Sequence, residues 1–201
     1  MKTHKRMLLA LAMTVAAVAT TTATDPSDLT LAENIATPAV PDKGHNAIVR
    51  HIERIGTTFA RQGIDVRYLR RGQVACITIP ASTLFAANQT DLLPTAPRTL
   101  NAFQALLKLP RLYKILVVVH ADDTGSAEYS DQLTEDRADA IDEYFQRTLP
   151  GVELNTVPYG MGLDEPRAAN TSIAGRAANR RIEFYIVPEK QTVDMAVGGK
   201  L

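Results

Sequence analysis

The chain has 201 residues, 45% of them hydrophobic, which suits one domain with a real core plus flanking segments. Lys+Arg and Asp+Glu balance at 22 each, so the formal net charge is 0, without the basic excess of a general nucleic-acid binder. Cys76 is the only cysteine, so there is no internal disulfide, and no Cys/His cluster offers a zinc site.

Lys2, Lys5 and Arg6 precede an apolar run from Met7 to Ala19, and small residues follow at Ala17-Val18-Ala19 and Thr21-Thr22-Ala23. This order reads as a secretory signal peptide over residues 1–23. An uncleaved anchor is the alternative, but a span needs about 20 apolar residues. Cleavage would remove three basic residues and leave a net charge near −3. No cysteine follows the run, so a lipid anchor is not expected, and the mature chain is expected free in the exported compartment unless a partner holds it.

Residues 24–43 mix Pro, Thr, Ala and Asp without a period and read as a flexible linker. Ile48, Ile52, Ile55 and Phe59 recur at helical spacing, and Gly63 stops them. Residues 44–72 are therefore an N-terminal helix and lead-in, with a short strand at Arg67–Leu69 and a turn at Arg70–Gln73. Val74–Pro80 alternates and is β-branched, which predicts a strand. A loop follows, then a helix started by Pro94 and Pro97, striped by Leu100, Phe103, Leu106 and Leu107 and closed by Pro110.

Lys114–His120 is a nearly continuous apolar strand, buried on both faces or central in a sheet. A helix over Glu128–Leu149 buries Leu133, Ala140, Ile141, Tyr144 and Phe145, and Pro150-Gly151 ends it. Val152–Tyr159 is the third main strand, Gly160–Gly175 a long loop, and Arg181–Val187 the last strand. The tail, residues 189–201, reads as flexible. The order predicts a mixed α/β two-layer sandwich, β-α-β-α-β-β, with an extra N-terminal helix and all helices on one face.

Between the apolar strand and the long helix lies a polar turn with His120, Asp122, Asp123, Thr124 and Gly125. Arg137 stands four residues after Leu133 and four before Ile141, so it shares their inward stripe. An inward Arg needs a partner, and Asp122 at the neighbouring strand end is a natural one. Such a pair can hold a ligand carrying both ammonium and carboxylate, or it can simply close the loop. Asp123 suits the turn and Glu128 the helix start, so an acid/base pair with Asp122 is the weaker reading.

Four blocks in chain order carry a family resemblance. They are Ser82-Thr83-Leu84-Phe85-Ala86 with Leu92-Leu93; His120 to Ser126; Tyr129 to Ala138; and Gly160-Met161-Gly162 through Gly175-Arg176 to Asn179-Arg180-Arg181-Ile182-Glu183. Residues 73–188 resemble the OmpA-like peptidoglycan-binding domain on these blocks. The resemblance implies a non-enzymatic, cofactor-free envelope module of the periplasm, peripheral to the outer membrane, whose partner is the diaminopimelate of the peptidoglycan stem. Carried over, Asp122 binds its ammonium and Arg137 its carboxylate, with backbone N–H groups near Phe85 and Ala86 completing the site. Thr124 and Arg181 are further binding candidates. Val119, Ala121 and Ser130 depart from the family pattern; Ala121 in particular removes a hydroxyl. An envelope scaffold with the same fold, weakened wall binding and an outer-membrane or envelope protein partner is therefore the alternative.

Overall fold

A computed structural model describes residues 25–151 and 153–201. The expected signal peptide and Val152 lie outside the described residues. Five strands form one sheet: β1 (Asp65–Leu69), β2 (Val74–Pro80), β3 (Tyr113–Val119), β4 (Thr156–Gly160) and β5 (Arg181–Pro188). Their spatial order is β1-β2-β5-β3-β4, with β3 and β4 parallel and every other pair antiparallel.

The helices are α1 (Leu31–Ala36), α2 (Asp42–Ala60), α3 (Pro97–Leu100), α4 (Gln104–Leu107), α5 (Ala127–Thr148), α6 (Ile173–Asn179) and α7 (Lys190–Val197). From β2 onward the order is β-α-β-α-β-β, with α6 set into the last connection. Strand alternation divides the apolar residues between two faces. Ile115, Val117 and Val119 of β3 meet Ile182, Phe184 and Ile186 of β5 on the main-core face, under Ile48 and Ile52 of α2 and Ile141 and Phe145 of α5. Leu116 and Val118 point the other way, with Val74, Cys76, Tyr185 and Val187. Two buried faces explain why β3 reads as one apolar run.

Three expectations need correction. The stretch expected as a linker holds α1 within its described residues 25–43, and the helices do not all share one face. Leu31 and Ile35 of α1 pack on the second face beside Leu69 and Tyr159. Thr30 caps α1 by accepting from the Glu33 N–H, while Glu33 accepts from the Thr30 N–H at 2.9 Å. Buried Asn34 donates to the Tyr159 hydroxyl and accepts from Lys114 Nζ, both at 2.6 Å. Third, the tail is not free: α7 buries Val193 and Ala196, and the Thr192 hydroxyl donates to the Leu112 carbonyl at 2.7 Å.

One glycine fixes how α5 lies on the sheet. A Cβ at Gly160, the last residue of β4, would stand 2.4 Å from the Glu135 amide nitrogen. This approach holds the N-terminal half of α5 over the ends of β3 and β4, where the polar turn begins.

Candidate functional site

The turn after β3 and the first turns of α5 enclose a cavity of about 770 Å³, closed opposite by residues 80–88 and by the end of α6. Asp122, Thr124, Phe85, Ala86 and Arg137 all line it. The sequence blocks carrying these residues are far apart in the chain, and the topology brings them together. Ser126 caps α5 by accepting from the Tyr129 N–H at 3.2 Å, which sets where the turn ends and the helix begins.

Asp122 is buried, and both of its oxygens are engaged. Oδ1 accepts from the Thr124 N–H at 3.1 Å, a turn bond of the kind Asp favours. Oδ2 is ion-paired with Arg180. Burial alone would push this carboxyl up, but the Thr124 bonds and the Arg180 guanidinium outweigh it and hold the group below its usual value.

Arg137 is 6% exposed. The expected Asp122 partnership is absent; backbone carbonyls take its place. Arg137 donates through Nε to the Gln89 carbonyl at 2.8 Å and through Nη2 to the Ala86 carbonyl at 3.0 Å. Its guanidinium also lies 5.0 Å from the Phe85 ring centroid. Among the described residues no carboxylate comes within ion-pair distance of it. Burial lowers its pKa from the usual guanidinium value, and it stays cationic. A positive charge is thus fixed in the wall of the cavity by neutral groups, with a buried carboxylate also lining it.

Two further expectations change. The Phe85 N–H does not face the cavity; it donates to the Ala81 carbonyl at 2.9 Å, and Phe85 contributes its ring instead. Arg181 does not line the cavity. Alternation along β5 puts it on the second face with Glu183, to which its Nε donates at 2.7 Å. Glu183 also receives Arg67 at 2.9 Å, Arg167 at 3.2 Å and the Tyr185 hydroxyl. His120 belongs to this buried cluster: its Nε2 stands 3.7 Å from Glu183, beyond hydrogen-bond length, and its Nδ1 is 3.2 Å from the Asp164 carbonyl.

Asp123 and Glu128 are exposed and do not line the cavity, so no carboxylate pair converges there. Among the described residues no group of His, Cys, Asp and Glu is arranged to hold a metal. The residue that sequence reasoning missed is Arg180. It stands next to Arg181, but α6 ends at Asn179 and the two side chains go to opposite sides, Arg180 to Asp122 and Arg181 to Glu183.

Residues 84–180 match the family model described as OmpA family. The chain is 27% identical to the probable lipoprotein YiaD of Escherichia coli over 128 residues, covering 63% of this chain and 58% of that one. It is 32% identical to the peptidoglycan-associated lipoprotein of Legionella pneumophila over 104 residues, covering 50% and 57%. The chain thus spans about three-fifths of the length of these curated relatives. In fold it resembles the cell wall anchor of the T6SS from Pseudomonas aeruginosa, with a TM-score of 0.57 and 23% identity over 69% of this chain and 97% of that one. Asp122, Arg137 and the rest of the cavity's lining apart from Pro80, Ala81 and Ser82 fall within residues 84–180, the stretch that matches the OmpA family model.

Proposed function

We propose that this chain is a non-catalytic, periplasmic peptidoglycan-binding module that grips the diaminopimelate of the stem peptide and so ties the cell envelope to the wall. Asp122 receives the ligand ammonium, and Arg137 its carboxylate. One observation carries the reading: Arg137 is a buried cation with no carboxylate partner among the described residues, and it shares a cavity with a buried carboxylate. Burying an uncompensated charge is costly, so a charged ligand group is the natural complement. The likeness to a peptidoglycan-associated lipoprotein supports the same ligand class. An export signal at residues 1–23 would deliver the module to the periplasm.

A scaffold reading, in which the same fold serves an envelope partner and wall binding is weak, is favoured by the Arg180 pairing that engages Asp122. Co-sedimentation with diaminopimelate-type sacculi separates the two. Wall binding requires the wild type to pellet and Asp122→Ala and Arg137→Ala to stay soluble. A folded wild type that stays in the supernatant leaves the scaffold.

A further inference from the structure

Two arginines line the cavity, and they are held in opposite ways. Arg137 is buried, clamped by two carbonyls and a ring. Arg180 keeps 46% of its side chain exposed, while the Asp122 side chain it pairs with is 7% exposed. Its backbone is fixed at the end of α6, where its N–H donates to the Arg176 carbonyl at 3.1 Å. Ala177, one turn earlier, also lines the cavity.

The Thr124 bond to Oδ1 belongs to the backbone turn, so it does not yield easily. The Arg180 bond to Oδ2 is made by a half-solvated side chain, which can exchange Asp122 for water more readily than the turn N–H can. The structure assigns Arg180 the role of a displaceable counter-ion, paired with Asp122 until a ligand ammonium takes its place. This rests on the wall-binding reading and deepens it. The exchange swaps one cation for another at Asp122, so the carboxylate never loses its compensation. Arg180 lowers apparent affinity by competition, and an amine that cannot also satisfy Arg137 gains too little to displace it. The pocket thereby selects ligands that bring ammonium and carboxylate together.

The test uses the purified protein and a soluble disaccharide-tripeptide muropeptide containing diaminopimelate, read by calorimetry. Arg180→Gln removes the competing charge from a half-exposed position, and a thermal melt checks its fold. It is expected to bind about two- to fivefold more tightly than the wild type. Arginine side-chain NMR gives a second readout. On adding muropeptide, the Arg180 guanidinium signals lose the signature of a held ion pair, while the Arg137 signals stay held. Equal or weaker binding by Arg180→Gln, with a wild type that binds, overturns the counter-ion role alone; weaker binding would make Arg180 a ligand contact. A wild type and a variant that both ignore the muropeptide overturn the wall-binding reading itself.

Discussion

Replacing Arg137 with Lys keeps the charge and removes the fork. Arg137 uses Nε for Gln89 and Nη2 for Ala86, which leaves Nη1 free of protein acceptors among the described residues. A lysine ammonium is a single point and cannot serve two carbonyls and a ligand carboxylate from that position. The Ala86 carbonyl keeps the Gln89 N–H at 3.2 Å, so only the Gln89 carbonyl risks losing its donor. A hydrogen bond to a charged group is worth roughly 1.5–3 kcal/mol, so Arg137→Lys should cost about that much in stability. The same loss at the ligand carboxylate corresponds to about a tenfold to hundredfold weaker muropeptide binding. Urea unfolding measures the first effect and calorimetry with muropeptide the second. A variant with an unchanged unfolding midpoint and affinity within twofold of wild type would refute the clamp.

Further outcomes follow from the fold. Gly160→Ala forces α5 off β4, because its Cβ would meet the Glu135 amide at 2.4 Å; overpacking of this kind costs about 1–3 kcal/mol, read as a lower urea midpoint at constant slope. Asn34→Ala strips Lys114 of its 2.6 Å acceptor and should release α1 from the sheet, read as faster proteolysis within residues 25–40. Glu183 is buried, which opposes its ionisation, yet the bonds from Arg181 and Tyr185 and the Arg181 charge depress its pKa from the ordinary 4.5. Its stabilising contribution is therefore complete above pH 4.5 and is lost progressively as pH falls below that. Glu183→Gln should be less stable than wild type at pH 6 and lose less between pH 6 and pH 3; parallel losses would remove Glu183 from acid sensitivity. Burial raises the Cys76 thiol to about 11, so it should resist iodoacetamide at pH 8 in the folded protein and react once urea unfolds the chain.

The elements with strong periodicity were legible in the sequence. Two-sided burial marks β3, the Ile48, Ile52 and Phe59 spacing marks α2, and the Leu133, Arg137 and Ile141 spacing turns Arg137 inward. What escaped was short or depended on long-range geometry. α1 has six residues, too few for a period; its one clear signal is the capping box Thr30-x-x-Glu33. α7 hides in a small-residue tail, because it buries little more than Val193 and Ala196 against the domain.

At the site, sequence spacing set Arg137 facing inward but gave no information about its partners. Backbone carbonyls from residues 86 and 89, some fifty positions away, carry no side-chain signature. Arg180 and Arg181 differ by one position, and strand alternation beyond the end of α6 decides which meets Asp122 and which meets Glu183. The departures at Ala121 and Ser130 line the cavity, where they leave its charged groups in place.

The most direct measurement compares binding of the purified protein to sacculi whose stems carry diaminopimelate with binding to sacculi whose stems carry lysine. Lysine offers the ammonium for Asp122 and lacks the carboxylate for Arg137. Pelleting with the diaminopimelate wall and not with the lysine wall is the predicted result. Equal pelleting with both would contradict the assignment of Arg137 to the ligand carboxylate.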